Sequence, residues 1–193
     1  IAIAGFYKDW AAIGGGLSSK FLMSYGDLPI KANDYSPANM MLPRGAIIGG
    51  KLGEVQPVDL KDPAQIQEFV NHSWYKYGDE TQGLHPFDGV TDPNFVLGAG
   101  TKGKKTAIES VDESAKYSWI KSPRWRGNPM EVGPLARYVI GYAMGKPEFK
   151  EPVDMVLKKL EVPLPALFST LGRTAARGLE ASWAAHKMRY FFD

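Results

Sequence analysis

The apolar positions of this chain follow two rhythms. In the last third they recur at helical spacing, whereas earlier runs are short and broken by Gly and Pro. Pro134 to Met144 is an apolar stretch that stops before Gly145, and Pro at a first helical position gives up no needed donor. Pro152 to Leu160 sets Val153, Val156, Leu157 and Leu160 on one helical face. Ser169 to Tyr190 reads as the longest helix, with Ser169 or Thr170 as its cap. Upstream, Phe21 to Gly26 reads as a short strand. Ala46-Ile47-Ile48, a Gly49-Gly50 turn and Leu52 to Val58 read as a strand pair. Asp62-Pro63 reads as a helix start, with Ile66, Phe69, Val70 and Ser73 on one face and an end near Gly78. Gly78 to Gly103 is a loop, uncommonly long for a compact domain, so it either wraps a neighbouring surface or serves a site. A short helix is expected over Ser110 to Lys116 and irregular chain over Trp119 to Pro129. The expected fold class is α+β, predominantly helical, with a small strand pair. Its three parts are 1–60, rich in Gly and aromatics with the strand pair, 61–130, a helix plus long loops, and 131–193, helices.

Composition narrows the chemistry. Of 193 residues 44% are apolar, enough for a packed core. The net charge of +2 comes from interspersed charges with no basic stripe, so no nucleic-acid partner is expected. Lys102, Lys104 and Lys105 sit among glycines and read as a solvated loop. Gly14-Gly15-Gly16 lacks the spacing of a phosphate-binding loop and reads as a turn. No apolar run approaches the ~20 residues of a membrane span. The chain has no cysteine, which excludes disulfides, thiolate metal ligands and cysteine nucleophiles within it. Its histidines stand at 72, 85 and 186, with no pair at i, i+4, so no histidine metal site is expected. Ile1 to Gly5 has neither a Met nor a signal pattern, and Tyr190 to Asp193 is apolar, so both ends are expected to be cuts from a longer chain.

A series of strings then points to one family. They are Gly26-Asp27 after its aromatics, Glu68-Phe69-Val70-Asn71-His72-Ser73-Trp74-Tyr75, and His85-Pro86-Phe87-Asp88-Gly89-Val90-Thr91-Asp92-Pro93. Tyr117-Ser118-Trp119-Ile120-Lys121-Ser122-Pro123-Arg124-Trp125, Glu131-Val132-Gly133-Pro134-Leu135-Ala136-Arg137 and the helix start Ser169 to Arg173 complete the series. In this order, over nearly the whole chain, they resemble the central portion of the large subunit of nickel-iron hydrogenases, of the uptake, respiratory type.

The resemblance implies heterolytic cleavage of H2 at a nickel-iron centre with diatomic ligands. Electrons would pass to a small iron-sulfur subunit. Soft thiolates suit such a centre, and the family supplies them as two Cys-x-x-Cys pairs, one near each end. This segment has neither, so no catalytic or metal ligand is expected within it, and alone it is expected to be inactive. Pro43-Arg44-Gly45 spells the tripeptide that the family carries near its second pair, but in the wrong place, and reads as coincidence. The resemblance also implies a magnesium near the subunit's C-terminus, whose bound waters are steered by charged side chains. Glu68 and Lys121 are the candidates here; the competing reading is a buried Glu–Lys pair that holds a helix to the 117–125 loop. His72, Arg124, Glu131 and Arg137 are expected to be structural, with Glu131 favouring the positive end of the helix that follows it. Arg124 and Arg126 are also candidates for pairing across a subunit boundary. Trp119 and Trp125 read as packing anchors, and His85 as the residue that fixes its loop. The implied partners are the rest of the large subunit, the small subunit and H2, with membrane contact only through other subunits and a periplasmic location. Two alternatives stay open: a metal-free relative from respiratory complex I, and a non-catalytic interaction module that binds through the 78–103 loop.

Overall fold

The computed structural model describes residues 2–14, 20–89, 92–97 and 109–193. The expected turn at Gly15-Gly16, the cluster Lys102, Lys104 and Lys105, and the glycine-rich part of the 78–103 loop lie outside the described residues. The chain divides into two units, one of residues 1–58 with 130–193, the other of residues 59–129.

The first unit holds helix α1 (Ala2–Ala12), strands β1 (Leu22–Pro29) and β2 (Met40–Ile47), and helices α2 (Pro134–Ala143), α3 (Pro147–Leu160) and α4 (Thr170–Phe192). β1 and β2 pair antiparallel, from Leu22 opposite Ile47 to Pro29 opposite Met40. This corrects the expected strand pair. The segment after the Gly49-Gly50 turn returns to β2 through a single bridge, Ala46 to Gln56, and the main partner of β2 lies upstream. Ordinary residues avoid the left-handed backbone of Gly49 and Gly50, with φ of 64° and 72°. Pro43-Arg44-Gly45 lies inside β2, where Arg44 Nε donates to the Tyr25 carbonyl at 2.6 Å.

α2 is the centre of this unit. Leu135, Ala136, Tyr138, Val139, Ile140 and Gly141 are all buried, so it meets neighbours on most of its surface. Its core cluster takes Leu22 and Ile47 from the ribbon, Phe149 and Val153 from α3, and Ala176 from α4. Gly141 lets Phe149 pack directly on the α2 backbone, since a Cβ there would lie 2.4 Å from that ring. α3 starts five residues earlier than expected, at Pro147, and carries Pro152 inside it. There Pro152 leaves the Glu148 carbonyl without an in-helix donor. α4 is capped by Ser169, whose Oγ accepts the Gly172 N–H at 3.2 Å.

The second unit departs most from expectation, because no α-helix occurs among its described residues. Where a helix was predicted from Asp62, the Asp62 carboxylate instead accepts the Ala64 N–H in a turn, and β3 (Ile66–Phe69) follows. Trp119 to Pro129 is more regular than expected. β6 (Ser122–Trp125) pairs antiparallel with β3, and β7 (Asn128–Pro129) returns beside β6. Arg126 and Gly127, with φ of 48° and 78°, make the two-residue turn between them. Two short strands, β4 (Val96–Leu97) and β5 (Glu109–Ser110), form a separate pair, and the helix expected over Ser110 to Lys116 is a strand end and a turn. With so little regular structure, side chains anchor the loops. Lys116 pairs with Glu80 and donates to the Val70 carbonyl, and Trp74 Nε1 donates to the Asp112 carbonyl. His85 Nδ1 accepts the Phe87 N–H at 3.3 Å, so its Nε2 carries the proton given to the Leu60 carbonyl at 3.0 Å.

Candidate functional site

The β3–β6 ribbon sorts four of the sequence-predicted residues onto two faces. The register sets Ile66 opposite Trp125, Glu68 opposite Pro123 and Phe69 opposite Ser122. Alternation therefore puts Ile66, Glu68 and Val70 on one face with Trp125, Pro123 and Lys121, while Phe69 shares the other with Ser122 and Arg124. Ile66, Val70 and Trp125 are buried, so Glu68 projects from the inner face between two core residues and is itself only partly exposed. Lys121, just before β6, is its diagonal neighbour across the ladder.

Lys121 has an aromatic setting that sequence reasoning missed. Its ammonium lies 5.6 Å from the centre of the Tyr75 ring and 5.2 Å from that of Tyr77. The two tyrosines are two apart in an extended segment, which brings them to one side. Read as the end of a helix, the same spacing would have separated them, which is why no signal for this pair was drawn from the sequence.

The outer face carries His72 and Arg124. The Arg124 guanidinium stacks over Phe69 at 5.3 Å, and exposed His72 stacks on Tyr117 with ring centres 5.5 Å apart. With Asn71 and Ser122 they line an open cleft. Trp119 meets Trp74, Tyr75 and Phe95 edge-on, and Arg126 lies over Trp125.

Glu131 and Arg137 belong to the first unit, and both pair with α4. Arg137 meets Glu180 through two bonds of 2.6 and 2.5 Å. Glu131 meets Arg173 through bonds of 2.8 and 2.6 Å. The expectation that Glu131 serves the α2 N-terminus is thereby corrected: a bidentate guanidinium is the stronger partner. Among the described residues, no three His, Cys, Asp or Glu side chains converge as a metal site would require. No helix among them is long and apolar enough to cross a membrane.

Comparison with known proteins agrees with the strings that mark the sequence. The nickel-dependent hydrogenase family matches residues 1–193, and the chain belongs to that family. It is 68% identical, over 191 residues, to the uptake hydrogenase large subunit of Rhizobium leguminosarum bv. viciae, covering 99% of this chain and 32% of that one. It is 51% identical over 193 residues to the hydrogenase-1 large chain of Escherichia coli K12, covering 100% of this chain and 32% of the other. Among solved structures, the Ni-Fe-Se hydrogenase of D. vulgaris Hildenborough superimposes with a TM-score of 0.57 at 26% identity, over 94% of this chain and 33% of that one. The chain thus spans about a third of the length of the curated relatives it matches. The mixed α/β character of the described residues, four α-helices and small sheets, accords with a portion of that fold.

Proposed function

We propose that this chain is the central part of a nickel-iron hydrogenase large subunit that cleaves H2 heterolytically. Electrons pass to a small iron-sulfur subunit, on the periplasmic side of the membrane as in uptake enzymes. The observation that carries this reading is the 68% identity to an uptake hydrogenase large subunit over 191 of the 193 residues. The complex I and interaction-module readings have no comparable support. The chain has no cysteine, so its donor set does not fit a thiolate-held nickel-iron centre, and no step of the reaction is assigned to its residues. Alone, the segment is inactive.

Its contribution is structural and electrostatic. Glu68 and Lys121 support the water ligands of a magnesium held elsewhere in the subunit. A carboxylate that accepts and an ammonium that donates suit bound waters, and both stand on the inner face of one ribbon. His72, Arg124, Glu131 and Arg137 hold the segment in shape around that face and the helices.

The test is the full-length large subunit co-purified with its small subunit. Metal analysis and H2-driven dye reduction are compared for wild type and Glu68→Gln. Loss of magnesium together with slowed turnover is expected. Unchanged magnesium and turnover remove Glu68 from the site, and a wild-type heterodimer without nickel or H2 uptake overturns the hydrogenase reading itself.

A further inference from the structure

We propose that the cleft on the outer face of the β3–β6 ribbon is a carboxylate-binding site. Arg124 takes the two carboxylate oxygens on one edge of its guanidinium, and Asn71, His72 and Ser122 supply the polar contacts around them. This face is opposite the one that carries Glu68 and Lys121, and the site does not depend on the hydrogenase reading.

Three observations converge. First, Arg124 is held still. Its guanidinium lies over the Phe69 ring at 5.3 Å, and Nη1 donates to the Pro123 carbonyl at 3.0 Å. The stack and this bond fix the plane of the fork, so little side-chain freedom is left to lose on binding. Second, the fork is only partly used. Arg124 is half-buried, yet it takes part in none of the ion pairs among the described residues, and its Nε–Nη2 edge makes no hydrogen bond there. Arg137 and Arg173 are half-buried too, and each meets a glutamate through that same Nε–Nη2 edge. Third, the surroundings suit an anion. The cleft measures about 280 Å³, and Phe69, Asn71, His72, Ser122 and Arg124 line it, with no Asp or Glu among them. The Tyr117 ring steadies the imidazole of His72, with centres 5.5 Å apart. A planar, singly charged carboxylate matches one guanidinium fork, whereas a phosphate brings a further charge and calls for further cations. The group comes from a small free carboxylate or from an acidic side chain of another protein segment, since both present the same two oxygens.

The experiment uses the full-length large subunit co-purified with its small subunit. The arginine-directed dicarbonyl phenylglyoxal labels the protein, and peptide mass spectrometry follows Arg124, with exposed Arg126 as the internal control. Labelling is compared in succinate, inorganic phosphate and chloride at equal ionic strength. For a free carboxylate, succinate should slow the labelling of Arg124 several-fold against chloride and leave Arg126 unchanged. For an acidic side chain of the assembly, Arg124 should already react several-fold more slowly than Arg126 in chloride, with no further effect of succinate. In both cases Asn71→Ala and Ser122→Ala should weaken the protection. Asn71 is exposed and Ser122 only half-buried, so both variants should fold. Arg124 labelled as fast as Arg126 in every buffer overturns the site. Slow labelling that neither alanine variant changes marks a guanidinium covered by packing alone, and overturns it as well. Phosphate that slows labelling as much as succinate does overturns the assignment to a carboxylate.

Discussion

Arg173 grips Glu131 with one edge of its guanidinium, Nε and Nη2, at 2.8 and 2.6 Å, and both side chains are about four-fifths buried. The same guanidinium donates to the carbonyls of Gly14 and Phe168, at 2.6 and 3.1 Å. The Glu131 backbone bonds on both sides to the start of β1, through the Phe21 carbonyl and the Met23 N–H. One pair therefore joins α4, the chain just after α1 and the edge of the β1–β2 ribbon, three segments far apart in sequence. Replacing Arg173 by Met leaves a largely desolvated carboxylate without its partner and takes the Arg173 donor from two carbonyls. A loss of about 2–3 kcal/mol is expected, in the range for hydrogen bonds to charged groups. Denaturant unfolding of the full-length large subunit checks this. A double-mutant cycle with Glu131→Gln should return a coupling of about 1–2 kcal/mol, and a coupling near zero would show that the two residues act separately.

The glycines of α4 should respond to alanine with opposite signs. Gly178 faces open space, so Gly178→Ala gains helix propensity with no clash, about 0.5–1 kcal/mol of stabilisation. Gly172 sits in the first turn, where a Cβ would lie 2.0 Å from the Leu167 carbonyl oxygen. That obstacle is backbone and cannot swing aside, so Gly172→Ala should destabilise by about 2 kcal/mol or more despite the same propensity gain. Paired melts of the two variants decide the point, and equal shifts would contradict the packing described at Leu167.

What could be read from the sequence follows the range of the interactions. α2, α3 and α4 declared themselves because helical spacing is local, and the Ser169 cap is a signal within one turn. Ile66, Phe69 and Val70 satisfy that spacing equally well, yet they lie on and beside a strand. The deciding partner of β3 is Ser122–Trp125, more than fifty residues downstream, and nothing near Asp62 announces it. Asp62-Pro63 itself is as good a turn opener as a helix cap. At the candidate site, Glu68 and Lys121 could be nominated from the resemblance, but their shared face depends on that same distant register. The tyrosines around Lys121 stayed invisible because a helix was assumed where the chain is extended. Arg173 appeared in the sequence as the end of a string, and its pairing with Glu131 emerges only when α4 folds back on the ribbon.

Tyr138 offers a probe of the α2 core at high pH. Burial, with smaller contributions from Glu180 and Glu148, pushes its phenol up to about 12. An unfolded tyrosine ionises near 10, so the native state holds the proton more tightly than the unfolded state does. The stability tied to this proton is complete below pH 10 and drains away as pH rises from 10 through 12, in total about 3 kcal/mol. Tyr138→Phe has no proton to lose. Its unfolding midpoint should therefore fall less steeply between pH 10 and 12 than that of wild type, with the two curves parallel below pH 9. Parallel curves throughout would mean that Tyr138 reaches solvent in the folded protein.

Exposed apolar side chains set the behaviour of the segment on its own. Phe192 is 91% exposed, Phe87 87%, Ile120 74% and Tyr117 73%, and Met188, Tyr190 and Phe191 add to the far end of α4. Side chains of this size gain roughly 1.5–3 kcal/mol each on full burial, so several of them on one chain provide a strong drive to associate. The relatives this chain matches are about three times as long, and in them further chain is available to cover such positions. The 193-residue chain expressed alone should therefore self-associate at micromolar concentration and bind a hydrophobic dye, and it should retain no nickel after desalting because it has no thiolate. The full-length subunit should do neither of the first two and should retain the metal. A cooperative, monomeric melt of the isolated segment would show instead that its two units are stable by themselves, and that the exposed residues are ordinary surface.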